Sequence, residues 1–163
     1  MVYIYTTVVI FIALAFLLLG CAIWVKSARN KKYSTEIFSY LISSLLPLCG
    51  NLLITASTEH SISLLGYYFY LIGTNIMFYY VNVFFANVFS SMTPFYKKLL
   101  KAVVILDSAS LLANPIFNHV FGIKAITLSG GRIYWAIVSY GGHYVHLLLS
   151  YMLFFNMFMV LIR

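Results

Sequence analysis

Residues 1–25 read MVYIYTTVVIFIALAFLLLGCAIWV, a run without one charged side chain. A helix needs about 20 apolar residues to cross the roughly 30 Å hydrocarbon core of a bilayer, so this stretch is long enough to span one. No basic segment precedes it, it is longer than the apolar part of a secretory signal, and KSARNKK follows at 26–32. It therefore reads as a retained first transmembrane helix.

The pattern continues along the chain. Of the 163 residues, 63% are hydrophobic and 8% charged, where soluble domains carry about 25% charged residues. Ten basic and three acidic side chains cannot cover a water-facing surface, so the lipid bilayer is the expected partner of the exterior. Apolar runs between breakers place five spans at about 3–25, 33–56, 62–91, 97–114 and 139–162. The expected fold is all-α and integral to the membrane, a five-helix transmembrane bundle forming one domain over 1–163. Between the fourth and fifth helices, GIKAITLSGGRIYWAIV at 122–138 sets β-branched and aromatic residues on both sides of Ser129-Gly130-Gly131. That pattern predicts a small extracytoplasmic β-hairpin over about 123–138, with an irregular loop as the alternative.

The net charge of +7 is distributed in clusters between the apolar runs. Lys26, Arg29, Lys31, Lys32, Lys97, Lys98, Lys101 and Arg163 fall on one side, and only Lys124 and Arg132 on the other. The positive-inside rule puts the larger group in the cytoplasm. The chain is thus expected to cross the cell (cytoplasmic) membrane several times, with its N-terminus outside and its C-terminus cytoplasmic. The same rule accounts for the basic clusters, so nucleic acid is not an expected partner. Cys21 and Cys49 lie inside apolar runs and read as buried small hydrophobes.

Burying a polar group in hydrocarbon costs several kcal/mol unless it is paired, so polar residues within the spans are the candidates for function. In the third span Tyr68, Asn75, Tyr79, Asn82 and Ser90 share one face at 100° per residue, and Gly66 and Gly73 let a neighbouring helix approach. In the fourth, Asp107 sits near mid-span with Ser110 and Asn114 on its face before Pro115, where the helix is expected to end. Such a carboxyl is either neutral or hydrogen-bonded, the third-span asparagines being suitable donors. Asp107, Asn75, Tyr79 and Asn82 are therefore the candidates for coupling within the membrane, with structural glue as the competing role. In the second span, Pro47 and Gly50 of SSLLPLCGN predict a kink.

The four histidines, His60, His119, His143 and His146, fall at the outer face in this topology. Ser139, His143, His146 and Ser150 lie within a narrow arc of one helix. Three roles stay open for these imidazoles: hydrogen bonding at the interface, pH sensing, and an extracellular metal site, with Glu59 beside His60 as a further ligand. HxxH alone is a weak metal signal, so no metal site is assigned. With no histidine expected deep in a span, haem and quinone binding have no anchor, and without a mid-helix lysine retinal has none. No phosphate-binding glycine loop, helical HExxH or nucleophile elbow is present. The chain is read as neither an enzyme nor a cofactor protein.

From 107 to 151 the sequence resembles a known membrane family. DSASLLANPIFNHVF, a hairpin, and then YGGHYVHLLLSY are similar to the N-terminal seven-transmembrane region of bacterial sensor histidine kinases and diguanylate cyclases. Asn114, Pro115, His119, Phe121, Tyr140, His143, His146 and Tyr151 match by position, as do Tyr70 and Gly73 in the third span. The resemblance is best over about a third of the chain. It implies a signal-input (sensor) module that reads a stimulus at its outer face through His119, His143, His146, Tyr140 and Asn114. It also implies two further helices, a cytoplasmic output domain in a full-length relative, and a homodimer. This chain stops at Arg163, so the family's kinase or cyclase activity is not carried over and the chain is expected to be truncated. Small-molecule transport or binding is the rival reading, although no inverted repeat is visible.

Overall fold

The computed structural model describes residues 2–27, 33–89, 93–128 and 130–162. Ser90, Ser129 and the basic residues Arg29, Lys31, Lys32 and Arg163 lie outside them. In chain order the described elements are α1 (Val2–Ser27), α2 (Ser34–Ala56), α3 (His60–Phe89), α4 (Pro94–Phe117), β1 (Phe121–Thr127), β2 (Ile133–Ser139) and α5 (Gly141–Ile162). The helices α1 to α4 are each long and apolar enough to cross a membrane.

Helix ends follow from local chemistry. Thr93 caps α4 by accepting from the Tyr96 N–H at 3.3 Å, and Pro94, whose missing N–H costs nothing there, opens the helix. At the other end α4 does not stop before Pro115, as expected, but runs on to Phe117. The proline forfeits one bond, from its missing N–H to the Leu111 carbonyl, and only two helical residues follow it. Termination comes from Asn118, which adopts the left-handed conformation (φ 48°) and donates its N–H to the Asn114 carbonyl at 2.7 Å. Helix α5 begins at Gly141, so Ser139 belongs to β2 and does not share the helical face of His143 and His146.

The strands pair antiparallel from Phe121↔Ser139 to Thr127↔Ile133, two residues beyond the expected hairpin at its start. Gly130 and Gly131 take φ of +101° and +78°, values that favour glycine, and close the turn. The hairpin is docked by polar contacts on the ends of α2 and α3. Arg132 donates to the carbonyls of Thr55 (2.7 Å) and Ala56 (3.0 Å), satisfying groups that the end of α2 leaves open. The Trp135 indole donates to the Thr58 carbonyl at 2.8 Å, and the Tyr67 hydroxyl donates to the Trp135 carbonyl at 2.9 Å.

The tightest seam in the molecule joins α2 to α3 through glycine. A methyl group placed on Gly50 would lie 2.5 Å from the Tyr70 nitrogen and 2.6 Å from the Gly66 oxygen, and one on Gly73 would meet the Pro47 ring at 2.7 Å. α2 is a continuous helix through Pro47; Pro47 and Gly50 serve as its contact face toward α3. By contrast α1 is apolar on nearly every exposed side, with Phe16 and Trp24 both more than 70% exposed and Ala22 buried. Cys21 and Cys49 are exposed free thiols, contrary to the burial expected from their apolar runs. Among helices of this composition an outward position is as apolar as an inward one, so hydrophobic neighbours do not mark the interior.

Candidate functional site

Two apolar clusters fill the bundle. Ile54, Tyr67, Leu71, Leu111, Val120 and Phe121 lie beneath the hairpin, and Leu100, Val104 and Leu153 lie toward the opposite end. Between them α3, α4 and α5 meet in a polar layer. Asp107 of α4 is 6% exposed, and its Oδ2 lies 2.7 Å from Nδ1 of His146, which is 3% exposed. Asn75 of α3, fully buried, donates from Nδ2 to the same carboxylate oxygen. Its own Oδ1 accepts from the Ser150 hydroxyl at 2.7 Å. Four side chains from three helices thus bond to one another, each more than nine-tenths buried. In such a setting hydrogen bonds to a charged acceptor are short and strong, and an unpaired member is costly.

A second polar junction lies two turns along α3. Asn82 donates from Nδ2 to the carbonyls of Phe78 (2.8 Å) and Leu153 (2.9 Å), and its Oδ1 accepts from Asn156 at 2.6 Å. The Tyr96 hydroxyl of α4 completes the chain by donating to Asn156 Oδ1 at 2.9 Å. Near the same end Asn87 of α3 links α2 and α4, donating to Glu36 at 2.8 Å and accepting from Lys97.

At the hairpin end, Asn114 joins α4 to the strand that follows. Its Oδ1 accepts from the N–H groups of Val120 (2.8 Å) and Phe121 (3.3 Å), and its Nδ2 donates to the Phe121 carbonyl (2.7 Å) and the Tyr68 hydroxyl (3.4 Å). Replacing Asn114 by Leu strands three backbone groups, each costing about 1–3 kcal/mol when buried. The expected outcome is loss of hydrogen-exchange protection at the Val120 and Phe121 amides with α1 unaffected. Unchanged protection there would show that the hairpin holds this turn by itself. His119 follows, with Nε2 2.9 Å from the Ser110 hydroxyl, while its carbonyl accepts from Gly142 at 2.9 Å. A methyl on Gly142 would lie 2.8 Å from that carbonyl, so the glycine allows the loop to sit against the start of α5.

No family model, curated protein or solved structure matches this chain.

The polar layer corrects one expectation directly. His146 is not an edge residue at the mouth of the bundle; it is buried level with Asp107 and bonded to it. His143, one turn earlier, is also buried, its ring centroid 6.0 Å from that of His146, and its Nδ1 has no partner among the described residues. His60 packs edge-on against Trp135 with centroids 4.8 Å apart. Among the described residues no three His, Cys, Asp or Glu side chains group as metal ligands, so the four histidines do not form one site. Tyr140 starts the turn into α5, donating its N–H to the Val120 carbonyl at 2.9 Å, and its hydroxyl covers Gly122. Tyr79 packs on the Leu100–Val104–Leu153 cluster.

Sequence reading passed over Asn156, Asn87, Trp135 and, as a partner of Asp107, His146. The last was detectable: His146 and Ser150 are four residues apart on one helical face, and a mid-span carboxylate requires a donor. Two grooves flank the dyad. One, of about 440 Å³ between α4 and α5, is lined by Asp107, Ser110, His119 and Gly142 among apolar side chains. The other, of about 300 Å³ between α3 and α5, is lined by His146, Ser150 and aromatic residues.

Proposed function

We propose that this chain is the membrane-embedded signal-input module of a bacterial signal-transduction protein. The observation that carries the reading is the hydrogen-bonded layer of Asp107, His146, Asn75 and Ser150, which ties three helices together and holds an acid and an imidazole in direct contact. The positive-inside count puts the hairpin outside the cytoplasmic membrane and both the α3–α4 connection and the end of α5 inside. A stimulus at the outer face acts on the turn held by Asn114 and His119. That turn is an extension of α4, the helix that presents Asp107. Movement of α4 changes the polar layer, and the cytoplasmic ends of α4 and α5 shift with it. An output domain in a longer relative, working in a homodimer, reads that shift. The role proposed for the chain itself is to bind and relay.

A stimulus moves such an equilibrium only through unequal affinity for two packings; pH is the stimulus to try first, because an imidazole stands in the polar layer and another in the turn after α4. The test uses the full chain in lipid nanodiscs, with Cys21 and Cys49 replaced by Ser and spin labels at Lys98 and Met159. Going from about pH 8 to about pH 5, the range over which imidazoles titrate, the α4–α5 distance is expected to change by about 2 Å, the size of a helix shift. In Asp107→Asn the change is expected to vanish while helicity is retained. A distance that ignores both pH and the substitution, or solute uptake by vesicles containing the protein, rejects the sensor reading.

A further inference from the structure

We infer that the groove between α3 and α5 is a binding site for the headgroup of a lipid-soluble quinone. The starting point is the far side of the His146 ring. Nδ1 faces Asp107, while Nε2 meets no partner among the described residues and is not one of the buried unpartnered atoms, so it reaches the groove that the ring lines.

What Nε2 offers a ligand follows from charge. A pair buried among apolar helices is best tolerated when it carries no net charge. Carboxylate with imidazolium is one neutral arrangement, and carboxylic acid donating to a neutral imidazole at Nδ1 is another; in both, Nε2 carries a hydrogen. An acidic hydrogen on Asp107 Oδ1 would instead leave Oδ2, the oxygen that meets both the His146 ring and the Asn75 amide, as the carbonyl of a neutral acid, a weaker acceptor for two donors than a carboxylate oxygen. The groove therefore presents an N–H donor held in place from behind by Asp107, as a carboxylate orients a histidine in other sites.

The walls choose among acceptors. Tyr70, Phe78, Tyr151 and Phe154 give the groove aromatic faces, with Phe78 and Phe154 centroids 5.8 Å apart. It opens on the apolar exterior, where Tyr151 is 58% exposed. A volume of about 300 Å³ suits a single ring. A flat conjugated ring with a carbonyl oxygen, arriving through lipid on an apolar tail, matches donor, walls and route together. A fatty acid or alcohol has the tail and the oxygen without the flat ring. The inference does not depend on whether the bundle relays a signal.

The test is photolabelling of the full chain in phosphatidylcholine nanodiscs with an azido-quinone, and peptide mapping of the adduct. Labelling is expected within α3 and α5 and is expected to be displaced by decylubiquinone but not by equal decanoic acid or decanol. His146→Leu is expected to weaken displacement at least about fivefold, the effect of one net hydrogen bond. Thr74→Phe, which fills the groove and leaves the dyad in place, is expected to abolish labelling, and it decides the matter if His146→Leu does not fold. Labelling elsewhere, labelling indifferent to Thr74→Phe in a folded protein, or equal competition by decanoic acid or decanol overturns the proposal.

Discussion

Asp107→Leu is expected to be the most damaging single substitution in the polar layer, lowering the unfolding free energy by about 3 kcal/mol. Removing one member of a buried charged pair costs about 3–5 kcal/mol in soluble proteins, and interhelical hydrogen bonds in bilayers average less, about 0.6 kcal/mol. Asp107 lies between these limits because its loss strands His146 Nδ1 and Asn75 Nδ2 together. Asp107→Asn keeps an oxygen acceptor and is expected to cost about 1 kcal/mol. A leucine at both positions is the sharper measurement. With His146 also apolar its imidazole is no longer left facing an absent partner, so the double variant is expected to be more stable than the sum of the two single losses by about 1–2 kcal/mol. Reversible unfolding in mixed detergent micelles measures all four proteins. Additive losses would mean that the two side chains do not depend on each other and that the contact is incidental.

Gly50→Ala is the second large effect, and its sign opposes helix propensity. Alanine favours a helix over glycine by about 1 kcal/mol, which alone would stabilise α2. The added methyl, however, meets backbone atoms of Tyr70 and Gly66 at 2.5 and 2.6 Å, and backbone cannot rotate away as a side-chain tip can. The helices must separate, with an expected net loss of about 2–3 kcal/mol, in the range of overpacked cores. Gly20→Ala is the control, since nothing lies within 4 Å of its added methyl. It is expected to raise the melting temperature slightly or leave it unchanged. Equal behaviour of the two variants would show that the α2–α3 seam is loose.

Much of this fold is legible in the residues because hydrocarbon and backbone chemistry constrain it strongly. Apolar runs locate the helices within a few residues, and Ile-Tyr-Trp after Gly130-Gly131 signals the hairpin. Gly66 and Gly73 do mark the close approach of a neighbour, and Asn75 does meet Asp107. What could not be read follows from the same physics. When both interior and exterior are apolar, periodicity no longer separates them, so Cys21 and Cys49 were assigned to the wrong side. Depth along a helix was equally ambiguous. His146 follows the hairpin closely, which suggests the edge, whereas the first turn of α5 sits against the His119 carbonyl beside the end of α4, and this contact brings His146 level with Asp107. The long-range ties of Arg132 to α2 and Asn87 to Glu36 span more than 40 residues, and nothing in local sequence announces them.

The spacing of residues along α3 divides the bundle mechanically. Asn75 follows Gly66 by nine residues and Asn82 follows Gly73 by nine, which at 100° per residue is half a turn. One side of this helix is therefore locked by steric contact against α2, where only a single separation is allowed. The other side is joined by hydrogen bonds that can exchange partners with little change in distance. Helix α3 is therefore expected to behave as a fixed rail, with α1 and α2 as the frame on one side and any relative movement expected in α4 and α5 on the other.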